Sequence, residues 1–226
     1  MSTASKATSM SARFRGYLPV IIDVETGGFN SETDALLEIG ATLLCMDEQG
    51  QLIIDDTWSA HIQPFEGANI EQSALDFTGI RLDSALRQEA AVSEEEALSD
   101  LYKKIRRSLK SQDCTRAILV GHNAAFDHGF MRAANARADI KRNPFHPFSS
   151  LDTASLSALA YGQTVLAKAC AAAGIPFDQQ NAHSAGYDAE RTATLFCSIV
   201  NRYRDLGGWD LTLREQEMER EGEEEE

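Results

Sequence analysis

Apolar residues in this chain follow two rhythms in succession. Over residues 18–24 they run almost unbroken and rich in Val and Ile, which predicts a strand buried on both faces of a sheet. Residues 36–46 and 52–62 predict two more strands. Between them lies the polar, Gly-containing stretch Asp47-Glu48-Gln49-Gly50, a turn that makes the first three strands an antiparallel meander. The period then becomes helical. Ser93 with Glu96 has the form of a capping box, and Leu98, Leu101, Ile105 and Leu109 follow at helical spacing. A strand over 117–120 precedes a helix over 123–138, and a short strand from Leu151 reaches Asp152. Helical pieces over 154–159 and 165–173 lead to a long helix over 184–204, with Leu195, Phe196, Ile199, Val200 and Tyr203 as its apolar stripe. A meander followed by alternating strands and helices predicts an α/β fold with a mixed sheet flanked by helices. No internal repeat interrupts it.

The chain has 226 residues, which suits one domain. Residues 1–12 are polar and small, without the apolar run of a secretory signal, and read as a disordered leader. Residues 13–210 form the expected domain. Residues 211–226 read as an acidic, disordered tail, since 215–226 hold eight Glu and one Arg and so half of the net charge of −14. No stretch has the apolar length of a membrane span. Cys45, Cys114, Cys170 and Cys197 show no close pairing and read as free thiols in a reducing cytoplasm. The acidity argues at first against nucleic acid as a partner, because phosphate favours basic surfaces. Carboxylates that serve a cation would remove part of that objection.

The candidate chemistry lies in three places. Asp23 and Glu25 are two apart at the end of the first strand, so they point to one face. Two such carboxylates repel each other and resist desolvation, and a hard divalent cation resolves both problems. Asp127 falls in the first turn of the helix that follows the strand over 117–120, in HNAAFD. His183 and Asp188 are five apart, a rotation of roughly 140° on a helix, so they cannot share a face. Asp188 is therefore placed in the helix and His183 on the preceding loop, where it can serve as a general base. Each motif alone is common on protein surfaces.

In order, DVETGG, HNAAFDHGF and HSAGYDAERTA resemble the DEDD exonuclease superfamily in its DEDDh branch, over residues 17–205. RFRGYLPVIIDVETGGFN, KRNPFHPFSSLDTA, GQTVLAKAC and LFCSIVNRYRDLGGW resemble the ribonuclease T group within it. The resemblance implies an RNase H-like fold with a five-stranded sheet, made of an antiparallel three-strand meander plus parallel strands. It implies two-metal 3′→5′ hydrolysis of single-stranded RNA 3′ ends, tRNA among them, with single-stranded DNA a further substrate and nucleoside 5′-monophosphates the products. Two divalent cations, Mg²⁺ or Mn²⁺, would be held by Asp23, Glu25, Asp127 and Asp188, with His183 as base and a possible further ligand. Phe29, Phe77, Phe126 and Phe148 match positions that sandwich terminal bases. Ser73 stands four places before Phe77, where the family often has an acid, which puts the terminal-base preference in doubt. A homodimer is implied, with a basic patch on one subunit facing the other's site. The candidate patch residues are Arg13, Arg15, Lys110, Arg116 and Lys141, with Lys103, Lys104, Arg106, Arg107 and Arg142 nearby in the chain. A proofreading exonuclease, an oligoribonuclease and a non-catalytic nucleic-acid-binding module stand as alternatives.

Overall fold

The computed structural model describes residues 9–208. Its sheet has five strands in the order β3-β2-β1-β4-β5. These are β1 (Tyr17–Thr26), β2 (Leu36–Met46), β3 (Leu52–His61), β4 (Arg116–Gly121) and β5 (Phe145–Asp152). β1, β2 and β3 pair antiparallel, and β4 and β5 add parallel. The helices are α1 (Gln72–Thr78), α2 (Ala85–Ala90), α3 (Glu94–Ser111), α4 (Ala125–Arg137), α5 (Thr153–Tyr161), α6 (Leu166–Ala172) and α7 (Ala185–Asp205). The mixed sheet flanked by helices agrees with the pattern of apolar positions. No helix among the described residues is long and apolar enough to cross a membrane.

β1 occupies the centre because its side chains are apolar on both faces, and Leu18, Val20, Ile21 and Ile22 are fully buried. The turn before β3 closes as expected. Asp47 accepts hydrogen bonds from the Gln49 and Gln51 amides, and Gly50 takes the left-handed conformation at φ 74°. The capping box also forms, with the Ser93 hydroxyl accepting from the Glu96 amide and the Glu96 carboxylate accepting from the Ser93 amide. The last residues of the expected leader are folded: Ser9 caps a 3₁₀ turn over Met10–Ala12, and Met10 is buried in the main core, so residues 9–12 belong with the domain. Residues 1–8 of that leader and the acidic tail over 211–226 lie outside the described residues.

The packing that matters most for function lies between β2 and α7. A Cβ at Gly40 would stand 1.9 Å from the Ala185 carbonyl oxygen, so only glycine lets the start of α7 lie against β2. Gly40 is the register partner of Asp23 across the β1–β2 ladder. The same contact therefore brings the first turn of α7, with Asp188, beside the end of β1. Gly40→Ala should destabilise the fold by about 3 kcal/mol or more, the upper part of the overpacking range. It should also cut kcat roughly a hundredfold where the protein is still folded, because Asp188 is displaced. Thermal melts read beside kcat check this, and an unmutated kcat in folded Gly40→Ala protein would refute it.

Candidate active site

Three segments deliver carboxylates to one end of the sheet. On β1, Glu25 is buried and Asp23 is partly open to solvent. The β1–β4 ladder stops at Ile21 and Val120, which leaves the Val24 amide free to donate to Asp127 Oδ1 at 3.1 Å. That bond docks the first turn of α4 against β1. Gly121 is required there, since a Cβ would lie 2.8 Å from Asp127 Oδ2. On α7, Asp188 Oδ2 accepts from the His183 amide at 2.9 Å. His183 lies on the loop before the helix at φ 66°, exposed to solvent. Ligand atoms of Glu25, His183 and Asp188 all lie within 4.8 Å of one another. Asp23 feels the charges of Asp127, Glu25 and Asp188, and Glu25 feels those of Asp188 and Asp127.

The electrostatics are those of an unbalanced acidic cage. Burial first, then the charges of Asp127, Glu25, Asp188 and Glu38, hold the Asp23 carboxyl well above the usual range. Burial, followed by Asp188, Glu38 and Asp127, pushes Glu25 to about 8. Asp127 rises to about 7 through burial, although its backbone hydrogen bonds oppose the rise. Asp188 is raised by burial against the stabilising His183 amide. Asp188 Oδ1 is buried and accepts no hydrogen bond. An orphaned carboxylate oxygen beside three more crowded acids fits oxygen-ligated divalent cations.

Aromatic rings border this cage at His183, through Phe77, and beside Asp127, through Phe126 and Phe29, whereas Phe148 packs on His146. Phe29, Phe77 and Phe148 are 84%, 69% and 79% exposed, an unusual state for phenylalanine. Phe126 is partly buried and meets Phe29 edge-on, with ring centroids 6.2 Å apart. Phe77 packs on the His183 imidazole at 4.4 Å. Phe77 lies in α1, and Phe148 lies in β5 within an irregular stretch of its pairing with β4. Ser73, in the first turn of α1, donates to the exposed Glu71 carboxylate at 3.4 Å.

The basic candidates separate. Arg15, Lys110, Arg116 and Lys141 are exposed, as are Lys103, Arg106, Arg107 and Arg142. Lys141 pairs with Asp139, and the half-buried Lys104 pairs with Asp56 at 3.2 Å. Arg13 does not belong with them. It is only 4% exposed and donates to the Val200 carbonyl of α7, so it holds the N-terminal turns to the core instead of facing phosphate.

One acid near the cage escaped the sequence reading. Glu38, on β2 opposite Glu25, raises both Asp23 and Glu25. It accepts from buried Arg87 at 3.1 Å and contacts His61 Nδ1 at 2.8 Å. Arg87 also donates to the Leu37 and Ile62 carbonyls. A lone Glu within an apolar strand was the available signal.

The raised carboxyls give a pH dependence of definite sign. Between the ordinary glutamate value of 4.5 and about 8, folded Glu25 keeps a proton that the unfolded chain has released. Metal-free stability therefore falls as pH rises through that window. In EDTA the thermal midpoint should drop from about pH 5 to about pH 8, and a divalent cation should restore more at about pH 8 than at about pH 6. A midpoint flat across this range in EDTA would mean that the acids are not crowded.

Comparison with known proteins agrees with this arrangement. The RNase_T family model, described as exonuclease, matches residues 20–196. The fold is similar to that of E. coli Exonuclease I in complex with a dT13 oligonucleotide, with TM-score 0.63 and 18% identity over 85% of this chain and 43% of that one. It is also similar to the nuclease domain of 3′hExo, a DEDDh family member bound to rAMP, with TM-score 0.63 and 17% identity over 82% of this chain and 92% of that one. Exonuclease I from Methylocaldum szegediense aligns with TM-score 0.61 and 16% identity, over 84% of this chain and 42% of that one. The chain thus spans less than half the length of the Exonuclease I proteins it matches. With the family match covering most of its length and an acidic cage built from all three motifs, the chain belongs to the RNase_T exonuclease family.

Proposed function

We propose that the chain is a 3′→5′ exonuclease of the ribonuclease T group. It trims single-stranded 3′ ends of tRNA and other stable RNAs, acts also on single-stranded DNA, and releases nucleoside 5′-monophosphates. The observation that carries this reading is the meeting of Glu25, His183 and Asp188 within 4.8 Å, with Asp23 and Asp127 beside them. Exonucleases of this family use divalent metal ions. Asp23, Glu25, Asp127 and Asp188 would hold two of them, Mg²⁺ or Mn²⁺, which when bound stabilise charge on the phosphoryl oxygens.

The chain's own groups do the remaining work. His183 accepts the proton of the attacking water, and Asp188 fixes the His183 backbone by accepting its amide hydrogen. Phe29 and Phe77 stack the terminal bases, with Phe126 supporting Phe29 and Phe148 adding a further exposed ring. Stacking suits single strands, whose bases are free to leave a duplex. Ser73 in place of an acid alters discrimination at the terminal base. Arg15, Lys110, Arg116 and Lys141 supply phosphate contacts.

An apolar groove supports the homodimer. Phe14, Leu156, Leu159, Ile199, Tyr203 and Leu206 line it, and Leu159 and Leu206 are 88% and 75% exposed. All four cysteines are free, which supports a cytoplasmic setting.

A time course on a 3′-labelled RNA hairpin with a short overhang tests the activity. The overhang should be removed with a stop near the stem, and EDTA should abolish the reaction. Glu25→Ala should lose about a hundredfold or more of the rate, the worth of several kcal/mol of metal-borne stabilisation. Degradation by Glu25→Ala at the unmutated rate would refute the site. Parallel arms with a DNA oligomer and a dinucleotide distinguish a proofreading exonuclease and an oligoribonuclease. Sedimentation should show a dimer that Leu159→Glu converts to monomer, whereas an unmutated chain that sediments as a monomer would sink the dimer.

A further inference from the structure

We infer that Asp34, acting with Asn69, is a positioning residue that clasps the Phe29 loop to the segment leading into the Phe77 helix, so that the terminal base meets a preformed slot. This rests on the reading of Phe29 and Phe77 as base-stacking residues. Asp34 is only 4% exposed and has no role in the acidic cage described above. Its Oδ2 accepts from the Asn30 amide at 2.9 Å, one residue after Phe29. Its Oδ1 accepts from the Thr33 hydroxyl at 2.8 Å and from the Asn69 side-chain amide at 3.0 Å. These donors outweigh the effect of burial and hold the Asp34 carboxyl below its ordinary range, so it is an anion that organises the loop.

Asn69 completes the stitch through its backbone. Its amide donates to the Thr33 carbonyl at 2.8 Å, and its carbonyl accepts from the Ala35 amide at 2.9 Å. Two residues on, the Glu71 amide donates to the Gly27 carbonyl at 2.7 Å, and Glu71 is the N-cap of α1, which carries Phe77. The clasp explains the paired glycines of DVETGG. Neither has positive φ, so conformation does not demand them. A Cβ at Gly28 would stand 2.1 Å from Asp34 Oδ2, and one at Gly27 would stand 3.0 Å from the Asn69 carbonyl oxygen. Both would hold the clasp open. On its other side the loop is tied by Arg137, which donates to the Ser31 carbonyl at 3.0 Å and pairs with Glu94. Two exposed rings, distant in sequence, thereby share one rigid support that begins two residues after Glu25.

The test is KM, kcat and thermal midpoint on a short single-stranded oligonucleotide with saturating Mg²⁺, for Asn69→Ala, Asp34→Asn, Phe29→Ala, Phe77→Ala and the Asn69→Ala/Phe29→Ala double. Asn69 is exposed, and its truncation leaves the backbone bonds intact, so this variant should fold. It should raise KM roughly three- to tenfold, the worth of one net hydrogen bond, with kcat within about twofold. Asp34→Asn should act in the same direction and more strongly. In the Phe29→Ala background, Asn69→Ala should add little, because the slot is already lost. A lowered melting temperature with unchanged KM in Asn69→Ala and Asp34→Asn would make the clasp merely structural and overturn the inference, as would full additivity in the double variant. If Phe29→Ala and Phe77→Ala themselves leave KM unchanged, the stacking reading falls and takes the clasp with it. Raised KM in those two with unchanged KM in Asn69→Ala sinks the clasp alone.

Discussion

Four carboxylates crowded into one partly buried corner are the constraint on which the rest of the structure depends. Burial and mutual repulsion oppose their ionisation, and Glu25 at about 8 and Asp127 at about 7 record that opposition. Such a cluster persists only where other parts of the fold hold it in place. β1 supplies the first support, because its apolar residues are buried on both faces and fix the direction in which Asp23 and Glu25 point. Asp127 is tied by the Val24 amide and Asp188 by the His183 amide. Gly40, by admitting α7 against β2, sets the distance between the two halves.

Glu38 shows what an ion-paired acid looks like in the same neighbourhood. It is as near to the cage as its effect on Asp23 and Glu25 requires, yet Arg87 takes up its charge. Arg87 is itself buried, and burial lowers its pKa while Glu38 raises it. A buried ion pair of this kind contributes little net stability, but removal of one partner leaves a costly unpaired charge. Among the described residues, Asp23, Glu25 and Asp127 have no Lys or Arg in that role. The difference between the two groups of acids, one countered by Arg and one left open, is the physical signature of a site prepared for metal ions.

Much of this was legible from local rules. The period-two spacing of Asp23 and Glu25, the unbroken apolar run of β1, the capping box at Ser93 and the five-residue offset of His183 and Asp188 each follow from geometry within a few residues. What escaped depends on distant partners. α1 and α2 have seven and six residues, too short for an apolar stripe to stand out. β5 begins before Leu151, at Phe145, and its Pro147 sits in an irregular stretch at the sheet edge, where proline is tolerated. Arg13 looked like part of a basic surface because a charge carries no record of what will pack over it. The hydrogen bonds of Asp34 and Asn69 join residues 35 apart and leave no periodic trace.

The acidity of the chain then ceases to conflict with a polyanionic substrate. A formal charge of −14 counts every carboxylate as ionised, but half of it lies in residues 215–226. Within the body, burial raises Glu25 to about 8 and Asp127 to about 7, so part of their charge is absent near neutrality without bound cations. Two divalent ions would carry four positive charges against the four carboxylates of the cage, so the loaded site would no longer repel phosphate. Exposed phenylalanines would supply the other part of the proposed grip, and stacking does not depend on releasing counterions from the backbone. A nuclease built in this way needs few basic residues at its site. On the proposed reading it holds the end of a strand by its bases and its scissile phosphate, which suits an enzyme that acts only at ends.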